Sequence, residues 1–507
     1  MKPASEERPG SLVRHSLVYG MVPFLRYGVS IGMTAFYTAK LHTSGYGVKE
    51  VLDLWILLAQ QLLGLNVLGG MLRIYFDRKS EQDRALVISS SILLLSALAW
   101  SLCGWSLAFS DQLAPLLLGS GSAEFPRSDL ELVLKLTLIL IPFQLSTLAG
   151  LYYLQILRRS ALYAGVQLAK LALEVALHLI FLGILGWGLR GFLLGLLIGE
   201  AATTLLLTGW ILVRIGPRVS WSAFSPVLSY AAPLVPVGLF QLGLHQADRR
   251  LLEHVFTGTK GLDLVGIYGL GYKVSYLVNA MVLGPFLQVF QPYVFALRDP
   301  AERARTVSLV STWALATVAS ATLVVVLFGR QAVELLSGSP AFDGAWRVIP
   351  WVASGYVFWA LYNTAVIPLY LDKRTKPVAL INALALVTNI GLNLLLIPRF
   401  EIVGAAAATL ISFALLAVLG MLASRSAAGV RFELGRQAAI LSIVLGAAAA
   451  AYVIDARAVS SDAPAALGLK AAILVLLLGV GWTLLLRSGE RAALGAWLRA
   501  RIGRGPA

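Results

Sequence analysis

The chain has 507 residues, of which 58% are hydrophobic and 13% are charged, and its formal net charge is +15. Because soluble proteins carry about 25% charged residues, this composition excludes an ordinary water-soluble protein. Apolar stretches of about 20 residues recur along the whole chain, which is the length a helix needs to cross a bilayer core of about 30 Å. We therefore predict an all-α, polytopic membrane protein.

The apolar stretches predict about fourteen transmembrane helices, preceded by a short cytoplasmic segment over residues 1–13. The first stretch is too long for the apolar part of a signal peptide and has no small-residue cleavage site after it, so we expect it to be retained. In chain order the predicted spans are 14–39, 51–72, 86–109, 131–154, 161–185, 190–213, 227–255, 265–295, 306–328, 345–370, 377–397, 402–423, 437–454 and 467–486.

The distribution of Lys and Arg predicts the orientation of these helices. With the N-terminus inside, the inner segments hold 25 of the 41 basic residues and the outer loops hold 10. Short basic loops stay on the cytoplasmic side, so both termini are predicted to be cytoplasmic. The positive charge then indicates contact with anionic membrane lipids and not with nucleic acid.

Residue patterns that carry enzyme chemistry are missing from the sequence. The one cysteine, Cys103, cannot form an intramolecular disulfide or a metal cluster, and the five histidines have no ligand spacing. No phosphate-binding loop, nucleophile elbow or zinc-protease motif is present. The longest loop, near 110–130, is too short for an outer catalytic domain. We therefore predict no enzyme activity, no metal and no cofactor.

An internal repeat appears when the chain is compared with itself at an offset of 215 residues. At this offset Glu174 corresponds to Asn389 and His178 to Asn393, and basic pairs occupy the same inner turn in both copies. The repeat predicts two six-helix halves, 1–215 and 220–424, related by an axis along the membrane normal. Two extra helices over 437–486 and a basic cytoplasmic tail over 487–507 follow. Two such bundles predict a transporter with a cleft between rocking halves.

A tight outer turn over 397–401 is followed by the small residues of 404–408. Small side chains let helix backbones approach closely in lipid, where no hydrophobic effect drives helix association. We therefore expect this segment to serve packing.

Basic residues inside the predicted spans suggest a site for an anion. Arg26 lies twelve residues beyond Arg14, about 18 Å deeper in the membrane, too far for its side chain to reach the surface. Intramembrane charges are costly and usually face a wet cavity, although some only pair with one another to hold helices together. A cationic cavity would bind a phosphate or diphosphate. The predicted substrate-binding residues are Arg26, Lys170, Lys273 and Arg249.

Acidic residues and one histidine inside the spans are predicted to couple transport to an ion. Lys170, Glu174 and His178 are spaced four residues apart and form one stripe of the fifth span. Burial and neighbouring charges let such groups change protonation state during a transport cycle. The predicted coupling residues are Glu174, His178, Glu200 and Asp248.

Several segments resemble the Wzx-type polysaccharide (O-antigen) flippases of the multidrug/oligosaccharidyl-lipid/polysaccharide (MOP) exporter superfamily. One departure is Glu401, where such proteins usually have Gly. The similar segments are YAAPLVP at 230–236, ADRRLLEHV at 247–255, VGIYGLGYKVSYLV at 265–278, QPYVFAL at 291–297 and the run over 371–412, with a looser similarity over 46–77.

This resemblance implies a bacterial inner-membrane flippase. Such a protein moves an undecaprenyl-diphosphate-linked oligosaccharide to the outer leaflet by alternating access, for synthesis of a surface polysaccharide. A polysaccharide polymerase and a chain-length regulator are its implied protein partners.

Three other classes stay open at the level of sequence. A lipid II flippase would also have fourteen spans and a cationic cavity. A multidrug/cation antiporter of the same superfamily would need an acidic cavity. A polysaccharide polymerase or ligase would share the lipid-linked substrate but would need a large outer loop.

Overall fold

The computed structural model describes residues 9–118, 126–256, 258–297, 299–372, 374–428, 430–457 and 464–485. The outermost part of the predicted N-terminal segment (1–8) and the predicted basic tail (487–507) lie outside these residues. Within the described residues all regular structure is helical, which confirms the predicted all-α class.

Twenty α-helices follow one another in the described part of the chain. Their bounds are α1 (Pro9–Gly32), α2 (Thr34–Gln60), α3 (Asn66–Asp77), α4 (Glu81–Ala108), α5 (Ser110–Leu118), α6 (Arg127–Ile156), α7 (Ser160–His178), α8 (Gly188–Thr203), α9 (Gly209–Ile215), α10 (Trp221–Ala231), α11 (Val235–Val255), α12 (Thr259–Val278), α13 (Gly284–Ala296), α14 (Pro300–Leu327), α15 (Gly329–Leu336), α16 (Ile349–Ala365), α17 (Ile367–Leu371), α18 (Thr375–Ala428), α19 (Leu434–Arg457) and α20 (Pro464–Leu485).

Ten helical runs of the described chain are long and apolar enough to cross a bilayer, which confirms the polytopic class. One of them, Lys376–Ser426, has 51 residues and contains two of the predicted spans. It breaks sharply at Glu401, whose φ of 50° lies in the left-handed region, at the end of the predicted outer turn.

The chain divides into two compact units. The first contains Met1–Leu270, Glu334–Ala345 and Ala379–Ala408, and the second contains Gly271–Val333, Trp346–Val378 and Thr409–Ala507. Buried apolar side chains of α3, α4, α6 and α10 form a core of the first unit, with Leu68, Ile88, Leu154 and Val227 fully buried.

Glycines on α8 let this helix pack closely against the polar side chains of α7. A Cβ atom on Gly195 would lie 2.6 Å from His178 Cδ2, and one on Gly199 would lie 2.7 Å from Glu174 Cγ. Gly404 has a similar role in α18, because a Cβ atom there would overlap the backbone carbonyl of Leu396. Small residues at this spacing allow close helix contact, as expected for the segment 404–408.

The segment 40–50 differs from its predicted conformation. It was expected to be an outer loop, but it is part of α2, which is broken at His42 (φ 56°) and then continues to Gln60. Lys49, which the loop prediction would expose to water, therefore lies on a helix with its side chain only 14% exposed.

Candidate functional site

The buried face of α7 is polar along its whole length, whereas several of its leucines are exposed. The six buried residues recur every three or four positions and therefore form one stripe. They are Ser160, Tyr163, Gln167, Lys170, Glu174 and His178. An apolar outside and a polar inside are what a membrane helix needs when its inner face serves ions or a polar ligand.

Lys170 is enclosed by two carboxylates. Its ammonium group donates to Glu200 of α8 and lies 3.5 Å from Glu174 Oε1. All three side chains are nearly inaccessible, with exposed fractions of 6–8%. Glu200 Oε2 is buried and has no hydrogen-bond partner among the described residues. Two acids thus share one base.

Arg26 reaches the same stripe from α1. Its Nη1 donates to Gln167 Oε1 at 3.2 Å, and its charge is within electrostatic range of Glu174. Gln167 is a neutral partner, so Arg26 keeps most of its five N–H donors for other contacts. We define the α7 cluster as Arg26, Gln167, Lys170, Glu174, His178 and Glu200.

His178 ends the stripe and bonds to groups on two other helices. Its Nε2 lies 3.1 Å from the carbonyl oxygen of Phe192, and its Nδ1 lies 2.8 Å from the hydroxyl of Tyr37. Because a carbonyl only accepts, Nε2 is the donor, and Nδ1 of the neutral ring accepts from Tyr37. A proton taken up at Nδ1 would reverse the hydrogen bond with Tyr37.

A second group of charges joins α2, α11 and α12. Lys49 Nζ lies 2.6 Å from Asp53 Oδ2 and 3.2 Å from Glu50 Oε1. Arg249 Nε lies 3.3 Å from the other oxygen of Glu50. We define the α11 cluster as Lys49, Glu50, Asp53, Asp248, Arg249 and Tyr268.

Asp248 and Arg249 are adjacent in sequence, and neighbouring side chains on a helix point about 100° apart. Arg249 does pair across helices with Glu50, but its Nη1 also lies 3.1 Å from Asp248 Oδ1. Tyr268 donates to the second oxygen of Asp248. Asp248 and Arg249 are 1% and 4% exposed, so each charge is held inside the protein by its partners.

Aromatic rings lie between the two clusters. Phe192 stacks on His178 with the ring centroids 4.7 Å apart. Lys49 Nζ lies 5.8 Å from the centroid of Phe192 and 5.1 Å from that of Tyr46. The α7 and α11 clusters are therefore neighbours, separated by one ring.

Within the first unit the predicted excess of basic groups is not found. The α7 cluster holds two bases and two acids, and the α11 cluster holds two bases and three acids. Lys170 and Arg249 are each bound by carboxylates, whereas Arg26 bonds to an amide. Arg26 is thus the cation of the two clusters that a new anion could bind most readily.

The predicted site residues fall into three places. Seven of them lie in the two clusters of the first unit: Arg26, Lys170, Glu174, His178 and Glu200 in the α7 cluster, and Asp248 and Arg249 in the α11 cluster. The eighth, Lys273, lies on α12 in the second unit and is half-buried.

Sequence reasoning missed Lys49, Glu50, Asp53 and Tyr37. Lys49 and Asp53 are four residues apart, the spacing of an ion pair on one helix face, and the apolar run of the second span begins beside them. That spacing could have indicated that the helix starts before residue 51. The contact between Tyr37 and His178 joins distant parts of the chain and has no local signal.

Residues 125–340 match a family model described as polysaccharide biosynthesis protein. No curated protein matches this chain in sequence.

Solved structures of transporters share the fold. A lipid II flippase MurJ in an inward closed conformation aligns with a TM-score of 0.67 and 14% identity, covering 94% of this chain and 100% of its own. An inward-facing multidrug resistance MATE family transporter of the MOP superfamily aligns with a TM-score of 0.62 and 15% identity, covering 84% and 98%. A MOP superfamily transporter from Pyrococcus furiosus aligns with a TM-score of 0.57 and 17% identity, covering 85% and 96%.

These matches confirm the resemblance predicted from the sequence. The chain has the fold of MOP superfamily transporters, and its middle part matches a polysaccharide biosynthesis family. The solved structures described above as sharing this fold are a lipid II flippase and transporters.

Proposed function

We propose that this multi-pass membrane protein is a flippase for undecaprenyl-diphosphate-linked oligosaccharides. It moves its substrate to the outer leaflet by alternating access and serves the synthesis of a surface polysaccharide, such as O-antigen, exopolysaccharide or capsule. The observation that carries the proposal is the match of residues 125–340 to a polysaccharide biosynthesis family within a chain that has the fold of a lipid II flippase.

The second candidate function is lipid II transport itself. It is supported by the alignment with the lipid II flippase, which covers 94% of this chain and all of the other. Both substrates present a diphosphate on a polyprenyl lipid, so the structural arguments for an anion site apply equally to both.

Deletion of the gene in its own host separates the two functions. If the proposal is right, the strain accumulates an undecaprenyl-diphosphate-linked oligosaccharide in the inner membrane, and mass spectrometry identifies its glycan. Cells that instead accumulate lipid II and lyse would support the second function. A strain that accumulates neither lipid would refute both.

The diphosphate is proposed to contact Arg26, together with Lys273 and with Lys170 and Arg249. A diphosphate carries about two negative charges, which are too costly to expose to hydrocarbon. Arg26 suits this role best because its partner Gln167 is neutral and a guanidinium binds phosphate oxygens through two parallel hydrogen bonds. Lys170 and Arg249 would have to exchange a carboxylate partner for the phosphate.

Coupling is proposed to use protons bound by the α7 cluster. Glu174 and Glu200 share Lys170, so one of the two carboxylates can accept a proton. His178 would respond to that change by reversing its hydrogen bond with Tyr37. Asp248 is a further proposed coupling residue, since it binds both Arg249 and Tyr268. Transport that persists in vesicles after the pH gradient and membrane potential are collapsed would contradict proton coupling.

The protein is proposed to lie in the inner membrane with both termini in the cytoplasm, in contact with anionic lipids. A polysaccharide polymerase and a chain-length regulator are the proposed protein partners. Reporter fusions after residues 220 and 425 should give cytoplasmic signals, and a fusion after residue 460 a periplasmic one. A periplasmic signal at 220 would contradict this topology.

A further inference from the structure

A polar cavity of about 300 Å³ lies in the second unit, apart from the two ionic clusters. Its volume is at the lower end of the range for small-molecule sites, about 300–1,000 Å³. It is formed by α15, by the end of the helical turn Pro340–Arg347 and by the last residues of α19. The lining residues are Arg330, Trp346, Arg347, Tyr452, Asp455 and Ala456.

Two aromatic rings form one wall of the cavity. The centroids of Trp346 and Tyr452 are 5.4 Å apart, and their planes are inclined by 51°. Both residues are half-buried, so part of each ring is accessible. The guanidinium groups of Arg330 and Arg347 lie 5.9 and 5.8 Å from the centroid of Trp346. Aromatic rings that contact each other and are partly exposed provide an apolar surface next to charged donors.

The cavity has an excess of positive charge. Its one acidic residue, Asp455, lies 2.6 Å from the ammonium group of Lys470, which is fully buried and also donates to Gln331. Arg330 donates to the backbone carbonyl of Asp455 at 2.7 Å. With Lys470 beside Asp455, three basic side chains surround this one carboxylate of the cavity lining. Arg347 is exposed and can reach a ligand directly.

We propose that this cavity binds an acidic sugar residue, such as a uronic acid, of the transported glycan. The carboxylate would bind Arg347 through two parallel hydrogen bonds, and the C–H face of the sugar ring would lie on Trp346. In the topology proposed from the positive-inside pattern, Arg330, Arg347 and Lys470 belong to outer segments, where a flipped glycan arrives. The identity of the glycan as part of a lipid-linked oligosaccharide rests on the proposed function.

The lining favours a sugar over a lipid headgroup. Ala456 is the one aliphatic side chain among the six lining residues. A bound phospholipid needs an aliphatic wall for its acyl chains beside the basic residues, and these six residues provide only the one methyl group of Ala456. A sugar presents hydroxyl groups and a small apolar face, which match arginines, an aspartate carbonyl and two aromatic rings.

Calorimetric titration of the full chain in lipid nanodiscs tests the proposal. The probes are a tetrasaccharide that contains glucuronic acid and the same tetrasaccharide with its carboxyl groups reduced to alcohols. We expect saturable binding of the acidic probe and at least tenfold weaker binding of the neutral one. Equal binding of both probes, or no binding of either, would overturn the proposal.

Two variants and a control locate the binding. Arg347→Gln and Trp346→Leu should each weaken binding of the acidic tetrasaccharide at least tenfold. Arg347 is exposed, so its replacement leaves the fold intact even if Trp346→Leu does not. Arg457→Gln changes an exposed arginine outside the lining and should bind like the wild type. Unchanged binding by Arg347→Gln, or equally tight binding of glycerol phosphate as a headgroup probe, would refute an acidic-sugar site.

The outcome is separable from that of the proposed function. If the deletion strain accumulates a lipid-linked oligosaccharide but the purified protein binds no acidic sugar, the cavity proposal alone fails. If the acidic sugar binds and Arg347→Gln abolishes binding, but the deletion strain accumulates no lipid-linked oligosaccharide, the flippase proposal fails and the sugar site stands.

Discussion

Helices α7 and α8 align in sequence, at an offset of 215 residues, with the two parts of α18 on either side of its break at Glu401. At an offset of 215 residues the buried positions coincide, yet the first set is charged and the second is neutral. The first set is Gln167, Lys170, Glu174 and His178, and its counterparts are Asn382, Ala385, Asn389 and Asn393.

The difference teaches that a buried polar stripe of this spacing can form without charged residues. In α18 the polar stripe is satisfied in part within the helix, where Asn393 Nδ2 donates to the backbone and side-chain oxygens of Asn389 at 2.9 Å. In α7 the stripe needs Glu200 and Arg26 from other helices. Buried ion pairs seldom stabilise a protein more than apolar residues of similar size. Stability alone therefore does not account for the charges of α7.

The turns differ as well. In the turn between α7 and α8 Gly186 has a φ of 65°, and the residue of α18 at an offset of 215 is Glu401, with a φ of 50°. This left-handed conformation is unfavourable for a residue with a Cβ atom. Glu401 lies 2.6 Å from Lys260, a partly exposed pair that offsets little of the strain.

The largest expected effect comes from Lys170→Ala. It leaves Glu174 and Glu200 buried without their shared base, which should cost about 3–5 kcal/mol of unfolding free energy. Thermal unfolding of the purified protein measures the loss. The triple variant Lys170→Ala, Glu174→Asn, Glu200→Gln copies the neutral chemistry of α18 and should recover most of the stability but not transport. Wild-type stability of the single variant would contradict the ion-pair account.

Gly199→Ala should have the next largest effect. The new Cβ atom would lie 2.7 Å from Glu174 Cγ and 3.2 Å from its Oε1. Overpacking of this kind costs about 1–3 kcal/mol, and it should also reduce transport because Glu174 is displaced. Gly391→Ala in α18 is the matched control, because a Cβ atom there meets nothing within 4 Å. Gly391→Ala should leave the unfolding free energy unchanged or raise it. An equal loss of stability in both variants would indicate a need for glycine flexibility in these helices instead of a clash with Glu174.

Tyr37→Phe tests the histidine at the end of the stripe. It removes the hydroxyl that bonds to His178 Nδ1, at a cost of about 0.5–1.5 kcal/mol. If His178 changes protonation during transport, the rate of transport should depend less on pH in this variant than in the wild type. Tyr356→Phe removes a similar buried hydroxyl contact, with Tyr272 at 3.1 Å, and should leave the pH profile unchanged. Parallel changes in both variants would argue against a role for His178.

The smallest effect is expected for Glu401→Gly, which gives the second turn the residue of the first. Relief of the left-handed conformation should exceed the entropy cost of glycine, for a net gain of about 0.5–1 kcal/mol. Glu401→Ala loses the contact with Lys260 but keeps the strained backbone, so it should be no more stable than the wild type. Denaturation midpoints of the three proteins would show this order, and a less stable Glu401→Gly would contradict it.

The spans and the α7 stripe could be predicted because their signals are local. Hydropathy over about 20 residues identifies a span, and the spacing of Lys170, Glu174 and His178 places them on one face. Glu200 could also be predicted as a site residue, because it lies in the middle of an apolar run.

The partners could not be predicted, because they depend on how helices pack. Lys170 and Glu174 are four residues apart on one helix, but Glu200 of α8 makes the closer contact with Lys170, since Gly195 and Gly199 bring the two helices together. Lys49 was placed in a loop because a charged segment with glycines usually ends a span. Its burial depends on Asp53 and Glu50, which form ion pairs with it in the folded helix.

Flipping by the purified protein in liposomes tests the central claim most directly. Liposomes would contain an undecaprenyl-diphosphate-linked oligosaccharide, and a membrane-impermeant glycosidase would measure how much reaches the outer leaflet. We expect the wild type to expose the substrate and Arg26→Ala to expose no more than liposomes without protein. Arg26→Lys should expose an intermediate amount, because lysine keeps the charge but loses the bidentate hydrogen bonding of arginine. Folded wild-type protein that exposes the substrate no faster than liposomes without protein would contradict the account.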